Sequence, residues 1–295
     1  MMIGILAGTG LGEAFFKGAY VEERVLDTPF GRPSSPVRMV DLGGPRVAVI
    51  ARHGDGHTVP PSSVPYRANI FALKSLGVTH LITSGAVGSL REAIVPRDLV
   101  IVDQLIDRTY RRVPTFFDED LAVHTELARP YCPVLRERAE KLAGQAHRSA
   151  TYVCIEGPGF STLAEASMHR ALGADVVGMT ALPEARLARE AEMCCVLVAF
   201  ATDYDCWRPH AAGLSKHALL TEIIAHVEAA TKNAVALVRS LVAELTRNPP
   251  PPCPCQAALE LAIWTRRDAI TAGAVERYGP LVAKYLADGG ERTRS

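Results

Sequence analysis

The fold of this chain is restricted most by the way in which short apolar runs alternate with amphipathic segments. The runs are rich in β-branched residues, which is typical of strands buried on both faces; they cover residues 3–7, 47–51, 80–83, 99–102, 176–179 and 196–201. The amphipathic segments repeat apolar residues at three and four positions, as helices do; the clearest are residues 66–76, 133–146, 161–172 and 183–192. This alternation predicts an α/β fold with a mostly parallel sheet and helices on its faces.

The domain organisation follows from where the helical patterns stop. We expect one large α/β domain over residues 1–245, whose last segment, 216–245, has a long helical pattern. The proline-rich stretch TRNPPPPCPCQ, residues 246–256, cannot continue a helix and is expected to be a linker or strap. Residues 257–286 again have a helical pattern, so we predict a C-terminal helical extension with a frayed tail over residues 257–295.

The charge balance limits the partners of the protein. Its 295 residues include 32 lysines and arginines against 32 aspartates and glutamates, so no net field attracts nucleic acid or an anionic membrane. An anion must therefore be held by local contacts. The start, MMIGILAGTG, has neither the basic region nor the cleavage site of a secretory signal, and no apolar stretch is long enough to span a bilayer. We therefore expect a cytoplasmic protein.

The seven cysteines do not suggest a disulfide framework or a metal site. Their number is odd, and no pair has the spacing of a zinc site. A disulfide between Cys253 and Cys255 would close a small and strained ring. We expect these two residues to be free thiols and predict that the protein has no metal site.

Polar residues follow several of the apolar runs directly, at the edge of a parallel sheet where ligands bind. Gly8-Thr9-Gly10 is either an anion-binding turn or a plain structural turn, and it lacks the third glycine of a dinucleotide-binding loop. Arg52 and His53 follow the next run, and an arginine there is suited to forked bonds with phosphate, although a surface ion pair is the alternative. Residues 83–89 (TSGAVGS) form either another anion-binding turn or a tight structural one.

The segment EGPGFS, residues 156–161, and the segment after residue 201 offer groups for a flat polar ligand. Phe160 is available to stack on a ring, and Ser161 is a candidate cap for the following helix. Asp203 and Asp205 are two positions apart, so in an extended segment they point the same way. Two such carboxylates can share one proton, and the protonated one can then donate it to a base nitrogen. The alternative is an ordinary acidic turn.

Taken in order, the motifs resemble those of the trimeric purine nucleoside phosphorylase and methylthioadenosine phosphorylase family. The matching stretches cover most of residues 3–245: GILAGTGL, DTPFGRPS, ARHGDGHTVPPSSVPYRANIFALKSLG, GSLREAIVPRDLVIVDQLIDRT, EGPGFST, GADVVGM and ATDYDCW. The resemblance implies a single α/β domain with a twisted, mixed central sheet flanked by helices. It also implies a homotrimer, possibly paired into a hexamer, in which a neighbouring chain completes the active site.

The resemblance also implies a role for particular residues. The phosphate site is expected to contain Thr9, Arg52, His53, Ser84, Ala86 and Thr180. The nucleoside site is expected to contain Phe160, Ser161, Met179 and, lent by the adjacent subunit to the 5′ end of the ribose, His124. Asp203 and Asp205 are expected to be the catalytic residues that face N7 and the 6-amino group of a purine. Members that prefer 6-oxopurines have asparagine at the key position, so two aspartates imply adenine.

The activity implied by the resemblance is cleavage of S-methyl-5′-thioadenosine by inorganic phosphate, without a cofactor. Other 5′-modified adenosines, 6-oxopurine nucleosides and a non-catalytic nucleoside-binding protein are the alternatives. The chain departs from the family at Gly85, where threonine is usual, and at Gly159, where arginine is usual. The first departure implies that a phosphate contact is lost or moves to Ser84. The tail from residue 246, which in the family contributes to the pocket for the 5′ substituent, matches poorly.

Overall fold

A mixed β-sheet forms the centre of the protein in the computed structural model, which describes residues 1–16, 20–42, 46–144, 146–208 and 216–286. Nine strands are found in these ranges: β1 Ile3–Ala7, β2 Tyr20–Arg24, β3 Val37–Val40, β4 Val47–Ala51, β5 His80–Ser89, β6 Leu99–Arg108, β7 His147–Ile155, β8 Val176–Gly178 and β9 Cys194–Asp203. Their order across the sheet is β2-β3-β4-β1-β5-β8-β7-β6-β9, and β9 also pairs with β5. The strands β5, β8, β7, β6 and β9 therefore close into a ring, and the remaining four extend from it as an open sheet.

The sheet is mixed, as the resemblance implies, rather than mostly parallel. The pairs β1–β4, β1–β5, β5–β9, β6–β7 and β7–β8 are parallel. The pairs β2–β3, β3–β4, β5–β8 and β6–β9 are antiparallel. Sequence analysis does not predict β2 or β3. For β2 the reason is that it lies at the sheet edge and its sequence, YVEER, contains no apolar run.

Helices cover both faces of this sheet. Their bounds are α1 Leu11–Phe16, α2 Tyr66–Ser75, α3 Pro133–Leu142, α4 Leu163–Ala171, α5 Ala181–Glu190, α6 Lys216–Arg247, α7 Ala272–Tyr278 and α8 Ala283–Leu286. Side chains of α2 and α5 pack in one hydrophobic cluster with one face of the strands. Side chains of α1, α3 and α6 pack in a second cluster on the opposite face. Successive strand residues alternate between the two clusters, as the pleat of a strand requires.

The C-terminal segment differs from the helix predicted over residues 257–286. It contains short turns of 3₁₀ helix together with α7 and α8, and no continuous helix is found among its described residues. Its apolar side chains nevertheless pack into the main core: Leu259, Ala262, Tyr278 and Leu281 join the cluster that contains α2 and α5. The proline-rich stretch before it buries Cys253 and Cys255 in the opposite cluster. Tertiary packing, rather than local helical periodicity, therefore holds this segment in place.

Within the described ranges, the longest helices do not have the apolar length that crossing a bilayer requires.

Candidate active site

The loops that follow β1 and β4 meet the middle of β5, because residues 83–89 continue the β5 strand and do not form the turn predicted for TSGAVGS. Ala7 at the end of β1 pairs with Ala51 at the end of β4, and Leu6 pairs with Thr83 in β5. The residues that follow are therefore level with one another, and the backbone N–H of Gly8 donates to the hydroxyl oxygen of Ser84 over 3.1 Å. The structure therefore brings Gly8 and Ser84 together at this edge of the sheet.

The guanidinium of Arg52 lies beneath these loops and is almost wholly buried. Its Nε and Nη2 both donate to the carboxylate of Glu184, the latter over 2.9 Å. Nη1 donates to the backbone oxygen of Ser84 over 2.7 Å, and Nη2 also reaches the backbone oxygen of Leu6. Burial opposes the charge of Arg52, but the paired carboxylate raises its pKa overall, so Arg52 stays protonated.

These contacts change the role predicted for Arg52. Its fork is directed at Glu184 in α5, so the expected forked bond to phosphate is not what this arrangement offers, and the surface ion pair is wrong as well. A guanidinium has five N–H groups, and four acceptor contacts are made here, which leaves one N–H on Nη1 for a ligand. Arg52 therefore supplies positive charge and a single donor, and it contacts strand β5 at the backbone of Ser84.

Two glycines of this region differ in how much room surrounds them. A Cβ on Gly8 would lie 2.6 Å from both Nη1 of Arg52 and the backbone oxygen of Ser84, so only glycine fits there. A Cβ on Gly85 would meet only the hydroxyl oxygen of Thr180, at an ordinary contact distance of 3.5 Å. The space at Gly85 would therefore accept a larger side chain, such as the threonine that is usual in the family.

The other predicted phosphate residues border the same space. Thr180 precedes α5, and its backbone N–H donates to the hydroxyl of Tyr152 over 3.2 Å. Its own hydroxyl faces Gly85 and does not cap the helix. Thr9 is partly exposed in the loop between β1 and α1, and Ala86 is partly buried in β5. The hydroxyl of Ser84 is buried and accepts from Gly8, and its proton is available for a further contact.

His53 is held as a neutral imidazole. Its Nδ1 lies 2.9 Å from the backbone oxygen of Val59, which can only accept a hydrogen bond, so Nδ1 carries the proton. Burial, the Arg52 charge and the neighbouring His57 lower the pKa of His53 to about 4, and the two imidazole rings are stacked with centroids 4.4 Å apart. The Nε2 atom therefore has a free lone pair at neutral pH and can accept a proton from a hydroxyl group.

The two aspartates lie at the end of β9, where it leaves the ring of strands. Asp203 pairs with Gly88 of β5, and its carboxylate accepts a hydrogen bond of 2.7 Å from the hydroxyl of Thr202. The extended geometry predicted for this pair is wrong, because Asp205 has a φ of 50° and the chain turns there. That turn brings Asp205 over β5, where a Cβ on Gly88 would lie 3.1 Å from the Cβ of Asp205.

Asp205 carries the character expected of a proton donor. Its Oδ2 atom is buried and has no hydrogen-bond partner among the described residues. Burial, followed by the nearby charge of Asp203, raises the pKa of Asp205 above its ordinary value. A carboxyl group in this setting favours its protonated form more than an exposed aspartate does.

Ser161 lies next to Asp205 but does not cap the following helix. The cap of α4 is Thr162, whose hydroxyl accepts from the backbone N–H of Glu165 while the Glu165 carboxylate accepts from that of Thr162. This is a complete capping box at the spacing that Ser161 misses by one. The hydroxyl of Ser161 is instead buried without a partner among the described residues, and its backbone oxygen lies 3.2 Å from Sγ of Cys206.

Oδ2 of Asp205 and Oγ of Ser161 are two of seven buried polar atoms without a partner among the described residues, and they are close enough for the Ser161 hydroxyl to lower the Asp205 pKa. A buried polar atom without a hydrogen bond costs free energy, and such atoms are rare in folded proteins. A carboxyl and a hydroxyl together offer both donors and acceptors, which is what the edge of a purine requires. Met179 lies against the segment of residues 156–161, since a Cβ on Gly157 would lie 2.6 Å from its sulfur.

Two of the predicted nucleoside residues are not enclosed by their own chain. The ring of Phe160 is 87% exposed. A ring that stacks on it would therefore have to belong to a ligand or to another subunit. His124 is also exposed and contacts the C-terminal segment. Its backbone N–H donates to the Ala262 backbone oxygen over 2.9 Å. Its ring lies edge-on to that of Trp264, with the ring centroids 4.8 Å apart.

Sequence reasoning missed two charged residues that organise the site. Glu184 holds Arg52, and the indication in the sequence is an acidic residue among the mostly apolar residues of α5. Arg112 is buried and donates to the backbone oxygens of Glu156, Met179 and Leu182 over 2.6 to 2.7 Å. It thereby joins the segment that contains Phe160 to the segment that contains Thr180, but it comes from a loop without a regular pattern.

Glu156 completes the Arg112 junction. It accepts from the backbone N–H groups of Tyr110 and Arg111 over 2.8 and 3.1 Å, and from Arg112. Although burial opposes ionisation, these bonds lower the pKa of Glu156. The anchor of the segment is therefore a carboxylate, and it is part of the support of the site.

Comparison with known proteins agrees with this geometry. Residues 2–243 match the Phosphorylase superfamily. The S-methyl-5′-thioadenosine phosphorylases of Thermosynechococcus vestitus and Geobacter sulfurreducens are 43% and 42% identical to this chain, over 96% and 97% of it and 99% of each relative.

Solved structures are similar as well. A methylthioadenosine phosphorylase from an antarctic soil metagenomic library has 38% identity and a TM-score of 0.86, over 95% of this chain and 98% of that one. The Schistosoma mansoni methylthioadenosine phosphorylase in complex with adenine has 31% identity and a TM-score of 0.74, over 90% and 99%. The chain therefore belongs to the phosphorylase superfamily, within its family of purine nucleoside and methylthioadenosine phosphorylases.

Proposed function

We propose that this enzyme cleaves S-methyl-5′-thioadenosine with inorganic phosphate, yielding adenine and 5-methylthioribose 1-phosphate. The observation that carries the proposal is the pair of unpartnered atoms, Oδ2 of Asp205 and Oγ of Ser161, beside Asp203. They lie at the end of β9, and β9 pairs with β5, whose strand residues Ser84 and Gly85 border the anion site. A purine and a phosphate would therefore bind on either side of one ribose.

The anion site would hold phosphate so that one of its oxygens is free to act as the nucleophile. The hydroxyl of Thr180 faces Gly85 at this site, Thr9 follows Gly8 in the neighbouring loop, and the buried positive charge of Arg52 lies below. His53 offers Nε2 as an acceptor, so it can take a hydrogen bond from a protonated phosphate oxygen or from a ribose hydroxyl. Phosphate held in this way is oriented for attack on C1′.

The chemical step needs charge stabilisation at both ends. As the bond between C1′ and N9 breaks, its electron pair moves to the purine and positive charge develops on the ribose ring. Phosphate stabilises that cation and then forms the new bond to C1′. The proton of Asp205 goes to N7 of the leaving purine, and Asp203, whose carboxylate is fixed by Thr202, accepts from the 6-amino group. Phosphate is the second substrate, so the reaction requires no organic cofactor.

Base choice follows from the acceptor character of Asp203. An ionised carboxylate accepts hydrogen bonds and cannot donate them, so it matches a 6-amino group and repels a 6-oxo oxygen. Adenine is therefore the favoured base. The relatives named for methylthioadenosine support the 5′-methylthio substituent.

We also propose that the enzyme is a homotrimer whose neighbouring subunit completes each site. Phe160, Leu163, Leu261 and Trp264 are between 65% and 87% exposed in the single chain, which is unusual for large apolar side chains. His124 lies against Trp264, so burial of this surface by a second chain would place His124 at the subunit boundary. Light scattering of the purified protein tests the trimer. The seven cysteines are free, which suits the reducing cytoplasm that we propose as the location of the enzyme.

The experiment that tests the function is release of free base from methylthioadenosine, adenosine and inosine, each with and without phosphate. We expect adenine release that depends on phosphate and is fastest from methylthioadenosine. Faster cleavage of inosine would contradict the role given to Asp203. Absence of cleavage with all three nucleosides would contradict the proposed activity.

A further inference from the structure

Four of the seven cysteines converge at the end of the sheet opposite to the active site. The Sγ atoms of Cys132, Cys194, Cys253 and Cys255 all lie within 4.8 Å of one another, and all four side chains are buried. Cys194 is the first residue of β9 and Asp203 the last, and ten extended residues place them roughly 30 Å apart. This group, named here the cysteine cluster, therefore takes no part in nucleoside cleavage.

We propose that the cysteine cluster binds one Zn²⁺ ion through four thiolates. Zinc prefers a tetrahedron of four cysteine sulfurs with metal–sulfur distances of about 2.3 Å, which places neighbouring sulfurs roughly 3.8 Å apart. Sγ of Cys132 and Sγ of Cys253 are 3.6 Å apart, close to that value. The remaining sulfurs need to move by no more than about 1 Å to reach the same geometry.

The surroundings of the cluster favour a metal site over four packed thiols. All four side chains belong to the apolar cluster on the face covered by α3 and α6, so water is excluded from the sulfurs. Cys132 directly precedes α3, where the positive end of a ten-residue helix stabilises a thiolate. Cys195, the neighbour of Cys194, points into the opposite cluster and lies outside the group.

The cluster also has a structural task that explains its position. Its ligands come from three places: the start of α3, the start of β9, and the proline-rich stretch that follows α6. A metal ion would tie this stretch, which has little regular structure of its own, to the sheet and so fix the C-terminal segment. Structural zinc sites with four protein ligands stabilise folds in this way.

Sequence analysis predicts no metal here, and the reason is visible in the spacing. Zinc sites are usually recognised by a Cys-x₂₋₄-Cys pair, whereas Cys253 and Cys255 are separated by one residue and the other two ligands are far away in sequence. Cys253 and Cys255 form no disulfide, and the tertiary structure brings Cys132 and Cys194 to them.

Metal analysis of the intact protein tests the proposal. Protein expressed with zinc and purified under reducing conditions without chelator should contain about one Zn²⁺ per chain. Cys255→Ser and Cys253→Ser should lose that zinc. The matched control is Cys195→Ala, at the buried cysteine next to the ligand Cys194 in β9, and it should keep the zinc. Equal zinc content in Cys195→Ala and Cys255→Ser, or its absence from the wild type, would overturn the proposal.

Two measurements on the wild type remain decisive if the variants fold poorly. Titration of reduced, metal-free protein with Co²⁺ should produce the visible absorption of a tetrahedral thiolate site and saturate at about one equivalent. Alkylation in denaturant plus chelator, without reductant, should label all seven cysteines. If no cobalt spectrum appears, the cluster does not bind a metal. The same conclusion follows if the number of labelled cysteines is lower than seven by two for each disulfide that has formed.

Discussion

The carboxylate of Glu184 fills the fork of the Arg52 guanidinium, and both side chains are at most 2% exposed. Removing one partner of a buried pair leaves the other charge unpaired. We therefore expect Glu184→Ala to lower the free energy of unfolding by roughly 3–5 kcal/mol, measured by urea denaturation. Arg52→Ala should then reduce stability as well as phosphate affinity. The double variant Arg52→Met/Glu184→Met should recover part of the loss; a single-variant loss below about 1 kcal/mol would contradict the pairing.

The exposed ion pair between Lys141 and Glu137 provides the control for that measurement. Both side chains are more than 60% exposed, and water screens their interaction. Glu137→Ala should leave the denaturation midpoint unchanged.

Gly85 offers a gain-of-contact test of the phosphate site. Its Cβ position is open towards the hydroxyl of Thr180, so Gly85→Thr should add a hydroxyl donor without displacing the backbone. We expect KM for phosphate to fall roughly tenfold, which corresponds to about 1.4 kcal/mol. Gly85→Ala, which adds bulk but no donor, should leave KM for phosphate unchanged. Gly8→Ala should abolish phosphate-dependent activity, because its Cβ would collide with Arg52 and Ser84.

The pKa of Asp205 predicts how activity depends on pH. The carboxyl must be protonated to donate to the purine, so activity should fall as pH rises past its pKa. Because burial and Asp203 raise that pKa, the fall should begin above the range of an ordinary aspartate. Asp205→Asn should lower kcat roughly 10²–10⁴-fold and remove this limb from the pH profile. An unchanged limb in that variant would assign it to another group.

Asp203 should determine which base is accepted. Asp203→Asn replaces a pure acceptor by a group that also donates, and we expect kcat/KM to shift from methylthioadenosine towards inosine. The measurement is the ratio of kcat/KM for the two substrates. Thr202→Val, which removes the hydroxyl that fixes Asp203 but keeps its charge, should lower activity without reversing the preference. An equal loss on both substrates in Asp203→Asn would contradict its role in base recognition.

His53 should make the fold less stable in acid. Its folded pKa of about 4 lies below the unfolded value of 6.5, so the unfolded chain binds the proton more tightly. Stability from this group is complete above pH 6.5 and is lost as pH falls towards 4. Between pH 7 and 5 the loss should be about 2 kcal/mol. In His53→Gln, which keeps a donor for Val59, the difference in unfolding free energy between these two pH values should be smaller by that amount.

Much of the fold was predictable because it is written in local patterns. The apolar runs at residues 3–7 and 47–51 are strands with those bounds, and the helical patterns starting at residues 66 and 133 are helices. The helix predicted over residues 257–286 is wrong, since local periodicity there is overridden by packing against the core. The polar residues that follow strand ends were also predictable, because parallel strands bring their carboxyl ends to one edge.

By itself, the sequence determined the α/β fold, the family and the identity of the aspartates, since each depends on residue types in a fixed order. Only the tertiary structure decided what these residues contact. It turned the fork of Arg52 towards Glu184, left Oδ2 of Asp205 without a partner among the described residues, and gathered Cys132 and Cys194 with the proline-rich stretch. The physical reason is that such contacts join residues far apart in the chain, and their energy depends on burial and distance, which no local pattern encodes.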